Sequence, residues 1–193
     1  MTRLFRERAT RALARCLVAC AALALAAAAP PEPSGYRMGA YRAPTPLTLR
    51  GARAISTTQA DALWKSGSAV FVDVLPRPPR PAGLPDNTIW RPKPRSDIPG
   101  SIWLPDTGYG RLPAVMEGYF RAGLRSATGG DHGKTLVFYC LANCWMSWNA
   151  AKRALGLGYT HVDWYRDGTD GWSAAGLQLE HREPVPRPDE SGS

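Results

Sequence analysis

Two short apolar runs, set among helix-forming stretches, limit the possible folds more than any other feature of the chain. Ala69-Val70-Phe71-Val72-Asp73-Val74-Leu75 and Thr135-Leu136-Val137-Phe138-Tyr139 lack the polar alternation of a half-exposed strand. Such runs belong to strands buried on both faces of a parallel sheet. A capped helical stretch, Ser56 to Lys65 with Ala60, Leu63 and Trp64 on one stripe, precedes the first run and stops at Gly67. Ala114 to Arg125 reads as a helix before the second run, and Trp148 to Leu155 as a helix after it. Leu47-Thr48-Leu49 and His161 to Tyr165 read as further short strands, and Asp167 to Trp172 turns into a final short helix. Strands alternating with helices predict an α/β domain, a small parallel sheet flanked by helices.

The ends of the chain fall outside this pattern. Arg3, Arg6, Arg8, Arg11 and Arg15 precede an apolar run from Cys16 to Ala29 that ends in small residues. This reads as a secretory signal peptide over residues 1–28 and implies a periplasmic protein. The run is shorter than the roughly 20 apolar residues of a membrane-spanning helix. Arg15 lies too close to Cys20 for a lipoprotein box. Five arginines and one glutamate leave with that leader, so the net charge falls from +8 to +4. No nucleic-acid motif accompanies the modest basic excess. Residues 29–46 read as an extended arm, 47–180 as the domain and 181–193 as a disordered tail. Eight prolines between Pro76 and Pro99 mark an Arg/Pro-rich insertion over residues 76–97, which reads as polyproline-like.

Without the leader, Cys140 and Cys144 are the only cysteines. They flank the turn from a strand ending at Tyr139 to the helix that follows. Unpaired amides and the positive dipole end of a helix favour thiolate there. Cys140 is therefore the expected attacking sulfur, held exposed at the strand end, with Cys144 the resolving thiol or a second ligand. In an oxidising compartment two such cysteines pair unless otherwise used, and an i, i+4 spacing makes a labile rather than a relaxed bond.

Trp145 and Trp148 are at helical spacing, as core or with one ring stacking on a planar quinone. Met146 beside two thiolates would suit cuprous copper. His132, His161 and His181 are scattered, which argues against zinc. A tryptophan stands where covalent haem attachment needs histidine. Asp73 reads as a turn-capping acceptor or a general base. Arg77 and Arg80 leave the same sheet edge as Cys140, and either one would raise the positive potential over the thiol or dock an acidic partner.

The order of these elements resembles the rhodanese-like domain over roughly residues 47–180. The resemblance rests on Val72-Asp73-Val74, Ile98-Pro99-Gly100-Ser101-Ile102-Trp103-Leu104-Pro105, Tyr139-Cys140, Gly158-Tyr159 and Gly168-Thr169-Asp170-Gly171-Trp172. Within that family, Cys140-Leu141-Ala142-Asn143-Cys144-Trp145 is similar to the motif of exported CxxxCW proteins associated with catabolism by pyrroloquinoline-quinone (PQQ)-dependent dehydrogenases. The resemblance implies an accessory role near quinoprotein alcohol oxidation, with a quinoprotein dehydrogenase or cytochrome c as partner. In ordinary rhodaneses a basic residue stands five positions after the cysteine and a glycine three after it. Here those positions are Trp145 and Asn143, so thiosulfate sulfurtransfer and phosphatase chemistry are not expected.

Two readings stand side by side. One is thiol–disulfide or sulfur-carrier chemistry through Cys140 and Cys144, with a persulfide on Cys140 as the sulfur-carrying form. The other is a non-catalytic binding module for a redox cofactor (PQQ), copper or a quinoprotein dehydrogenase, its disulfide bracing the loop.

Overall fold

The computed structural model describes residues 29–188 apart from 78, 79, 82, 86, 90 and 92. The expected signal peptide, and residues 189–193 of the tail, lie outside the described residues. All the elements named belong to one compact unit, Pro31–Ser193.

The elements are β1 (Arg53–Ile55), α1 (Thr57–Ser66), β2 (Ala69–Asp73), β3 (Ser96–Asp97), β4 (Ile102–Trp103), α2 (Ala114–Thr128), β5 (Thr135–Tyr139), α3 (Trp145–Gly156), β6 (Val162–Tyr165), α4 (Gly168–Ala174) and β7 (Glu180–His181). Five strands form one parallel sheet in the order β1-β6-β5-β2-β4, with Val72 level with Phe138 and Asp73 with Tyr139. The expected α/β class, a parallel sheet flanked by helices, is the observed fold.

Alternation along β5 sorts the core into two layers. Leu136 and Phe138 pack with Phe120 and Leu124 of α2 and Trp148, Ala151 and Ala154 of α3. Val137 and Tyr139 pack on the other face with Ala60 of α1 and Trp172 of α4. Both faces are covered, which is why β2 and β5 carry apolar runs instead of alternation. Helix α1 starts on a capping box between Ser56 and Gln59, two reciprocal bonds that satisfy otherwise orphan amides. No helix among the described residues is long and apolar enough to cross a membrane.

Two segments depart from expectation. Leu47-Thr48-Leu49 is no strand. Leu49 bridges only to Ala52, and the edge strand is β1, because Pro44 and Pro46 just upstream offer no amide donors to a ladder. The tail is not disordered from residue 181. Strand β7 pairs antiparallel with β3, the Val185 amide donates to Trp103 O (2.9 Å), and Val185 O accepts from the Tyr119 hydroxyl at 2.6 Å. Its polar composition conceals these long-range bonds. The arm, read as extended, lies along α3, where Arg37 bonds to Asn149.

Candidate functional site

Strand β5 delivers Cys140 to the C-terminal edge of the sheet, and a four-residue loop leads to Cys144, the N-cap of α3. Two backbone features shape the loop. Asn143 is left-handed, with φ +51°. Asparagine tolerates that region better than most residues, so it serves here without the glycine the resemblance led one to expect. Gly168 begins α4 with φ +54°, and a β-carbon there would lie 2.5 Å from Cys140 O. That carbonyl accepts from the Thr169 amide at 3.0 Å.

Both cysteines are free thiols, and both are buried, at 0 % and 2 % exposure. The expectation of an exposed sulfur is therefore corrected. The two sulfurs also differ sharply. Cys140 is enclosed beneath the loop, where burial above all, then the Cys144 and Asp73 charges, push its thiol well above the ordinary range. Its S–H is directed at the carbonyls of Leu141 (3.7 Å) and Cys144 (3.8 Å) and lies within reach of the Cys144 sulfur. Cys144 is brought down to about 7, first by that contact with Cys140, then by the Met146 amide, the Arg42 charge and the Leu141 amide, against the cost of its burial. Its sulfur closes no regular cap hydrogen bond, but the amides directed at it favour its anionic form. The thiolate expected at Cys140 is thus favoured at Cys144. Two further junction amides are taken: Ala142 donates to Asp170 Oδ2 at 3.0 Å and Trp145 to Tyr41 O at 2.9 Å.

The remaining candidate residues fall elsewhere. Trp145 and Trp148 are buried, 5.5 Å apart edge to face, and their indole N–H groups donate to Pro44 O and Thr48 O, both at 3.1 Å. Arg37 lies over one ring and Lys152 over the other, at 5.1 and 4.8 Å. These rings hold the arm, and neither is the open stacking face that a planar quinone needs. Arg80 turns back on the carbonyls of Leu84 and Pro85, and Arg77 acts on Asp106. The expected cation over the sulfurs is supplied by Arg42, from the arm.

Arg95 is the residue the sequence hid, in the middle of the Arg/Pro segment. Its side chain is 11 % exposed and contacts Asp73 Oδ2 (Nη2 at 2.6 Å, Nε at 2.7 Å) and Asp97 Oδ1 (2.8 Å), with Cys140 O 3.5 Å from Nη2. Asp73 also accepts from the Leu75 amide at 2.8 Å, the turn-capping role read from the sequence. Asp97 is raised to about 9, chiefly by burial and then by Asp73. A cavity of about 620 Å³ opens beside this cluster, lined by Leu75, Arg95, Trp103, Leu141 and Thr169 among others. The loop presents Leu141 to it. No group of three or more His, Cys, Asp or Glu side chains among the described residues could hold a metal ion. A soft ion would have the two sulfurs alone from that set.

The sequence pattern of the rhodanese-like domain matches residues 56–175. No curated protein sequence matches the chain. Among solved structures, a thiosulfate sulfurtransferase from Pseudomonas aeruginosa is 21 % identical with a TM-score of 0.47, the match covering 70 % of this chain and 21 % of that one. The chain thus spans about a fifth of that protein's length. A polysulfide-sulfur transferase homodimer from Wolinella succinogenes is 17 % identical with a TM-score of 0.42, covering 69 % of this chain and 81 % of that one. A cysteine-persulfide form of EanB with ergothioneine is 21 % identical with a TM-score of 0.45, covering 69 % and 32 %. The pattern match spans more than half of the chain, from the cap of α1 to the end of α4, and takes in every strand of the parallel sheet except β1, together with the cysteine loop: the chain belongs to the rhodanese-like domain family.

Proposed function

We propose that the protein carries out thiol–disulfide exchange, with Cys144 as the attacking sulfur and Cys140 as the resolving one. One observation carries this reading: a thiol brought to about 7 at a helix N-cap, with a second, protonated thiol beneath it and within reach. An attacking thiol is most effective when its pKa lies near the ambient pH. The Cys144 thiolate attacks one sulfur of a substrate disulfide, that S–S bond breaks, and the first substrate thiolate leaves. Cys140 then gives up its proton to the departing second substrate sulfur and attacks Cys144. The products are a Cys140–Cys144 disulfide, one substrate thiolate and one substrate thiol. Two electrons pass from the cysteine pair to the substrate.

The sulfur-carrier form of the same chemistry would place the extra sulfur on Cys144, facing the Leu141 and Met146 amides, rather than on enclosed Cys140. Trp145 in place of a loop cation leaves an anionic donor such as thiosulfate without a charge-assisted contact. The Arg-rich leader supports a periplasmic setting. The CxxxCW motif supports a link to PQQ-dependent alcohol oxidation, with a quinoprotein dehydrogenase or cytochrome c as the partner. A redox titration of the full chain tests the proposal, with thiol state read by mass after alkylation. We expect a reversible Cys140–Cys144 couple with a midpoint above about −300 mV, the range of structural disulfides. A pair that neither oxidises nor alkylates in the folded protein would refute it.

A further inference from the structure

The arm covers Cys144, and it does so largely through its main chain. Arg42 makes an antiparallel bridge with Cys144, and Tyr41 O takes the Trp145 amide. Pro44 O and Thr48 O take the two indole N–H groups. Further along α3, the Asn149 carboxamide both accepts from the Arg37 amide and donates to Arg37 O, each at 2.9 Å. Side chains add Tyr36 against Arg153, Arg37 over Trp145 and Tyr41 against Tyr109. Over the sulfur itself, Arg42 and Pro44 are exposed residues, with the Arg42 charge still acting on Cys144. A surface that reads carbonyls and amides this way accepts any extended chain.

The arm is also seated below its optimum. Ala40 is left-handed at φ +46°, a strain of about tenfold in an equilibrium constant for a residue with a β-carbon. Thr45 is 2 % exposed, yet its hydroxyl has no hydrogen-bond partner among the described residues. An unmade buried bond of that kind favours release.

We infer that residues 36–45 are a self-docked strap occupying a binding groove, and that the groove receives an extended segment of a substrate protein carrying the disulfide that Cys144 attacks. The inference rests on the thiol-exchange reading and names its substrate class. A segment seated as the strap is, with cysteine at the Arg42 register, faces Cys144 directly, since antiparallel partners share a side of the ladder. Its disulfide then reacts as described above, one substrate sulfur leaving and the other staying on Cys144 until Cys140 displaces it.

The test uses the full chain, with modification resolved at Cys144 by peptide mass. One probe is a nine-residue peptide of sequence 37–45 with cysteine in place of Arg42, carried as its thionitrobenzoate mixed disulfide. The other is the same mixed disulfide of N-acetylcysteine. Two or three main-chain hydrogen bonds of ordinary net strength favour the peptide roughly ten- to a hundredfold in second-order rate. Arg37→Pro with Tyr41→Ala removes the donated amide and the ring contacts of the strap without touching the 140–144 loop, and it should speed both probes and iodoacetamide while preserving the peptide's advantage. Tyr41→Ala alone is the milder variant. The wild type carries the same comparison, because strap opening scales both rates alike. Equal rates for peptide and N-acetylcysteine would overturn the docking groove and leave thiol exchange standing. Alkylation at Cys144 with neither disulfide reacting would overturn the thiol-exchange reading beneath it.

Discussion

The Cys140 thiol is the largest influence holding Cys144 down, so its removal is the most informative single change. Cys144 lies about two pH units below its ordinary value of 9.0, at about 7. A hydrogen bond to a charged group contributes roughly 1.5–3 kcal/mol. At about 1.36 kcal/mol per unit, that corresponds to a shift of about one to two units. Cys140→Ala should therefore move Cys144 up to about 8 or higher, while the Met146 and Leu141 amides and Arg42 keep it below the ordinary value. Cys140→Ser keeps a donor beneath the sulfur and should stay near the wild type.

The assay is the pH profile of iodoacetamide alkylation at Cys144. Strap opening multiplies the rate at every pH and cancels from the midpoint. At pH 6 a thiol titrating near 7 is about 9 % thiolate, and one titrating near 8 about 1 %, so the alanine variant should react about tenfold more slowly there. Near pH 10 the two should converge. An unchanged midpoint in Cys140→Ala, or equal upward shifts in the alanine and serine variants, would refute the reasoning. In the first case the helix terminus alone would set the value, and in the second the cause would be repacking.

Other outcomes follow from the neighbouring cluster. Arg95→Met strips the cation from buried Asp73 and Asp97 and should cost about 3–5 kcal/mol in urea unfolding, the usual result of leaving one half of a buried ion pair. Asp97 is raised from 3.8 to about 9, so between those values the folded chain holds a proton that the unfolded chain has lost. Stability should accordingly fall as pH rises across that window. Asp97→Asn should flatten the dependence between pH 5 and 8.5, and parallel urea midpoints for both proteins would contradict the assignment. Gly168→Ala forces a β-carbon against Cys140 O at a left-handed position; it should lower the unfolding free energy by about 1–3 kcal/mol and slow disulfide formation in the loop.

Much of the framework could be read from the residues because burial leaves a mark on composition. The apolar runs of β2 and β5 and the stripe of α1 fell where expected, and α2 starts at Ala114 as read. What escaped had no apolar signature. Arg95 looks like any other arginine among prolines, and only the fold brings it 22 residues back to Asp73. The β3–β7 pair is two residues a side, too short for any periodicity. The arm is held by its carbonyls and amides, which every sequence possesses, so nothing in Tyr36 to Pro46 distinguished a docked strap from a free one.

The assignment of the two sulfurs turned on a smaller matter. The helix-forming run is clearest from Trp148, which leaves Cys144 in the loop and makes Cys140 the natural recipient of the dipole. In the structure α3 begins one turn earlier, at Trp145. Trp145 and Trp148 are weak helix formers, but their indoles reach the arm's carbonyls and their rings fill the core only if that first turn is helical. Tertiary contacts therefore set the helix start, and the helix start decides which cysteine is the cap. Moving the boundary by one turn hands the terminal amides to Cys144 and leaves Cys140 enclosed behind it. The arm that covers the reactive sulfur thus also fixes the helix end that activates it. Loosening the strap should accordingly expose Cys144 and raise its midpoint together, because Arg42 and the Tyr41 carbonyl leave with it. Alkylation that quickens with no rise in midpoint would show instead that α3 keeps its first turn unaided.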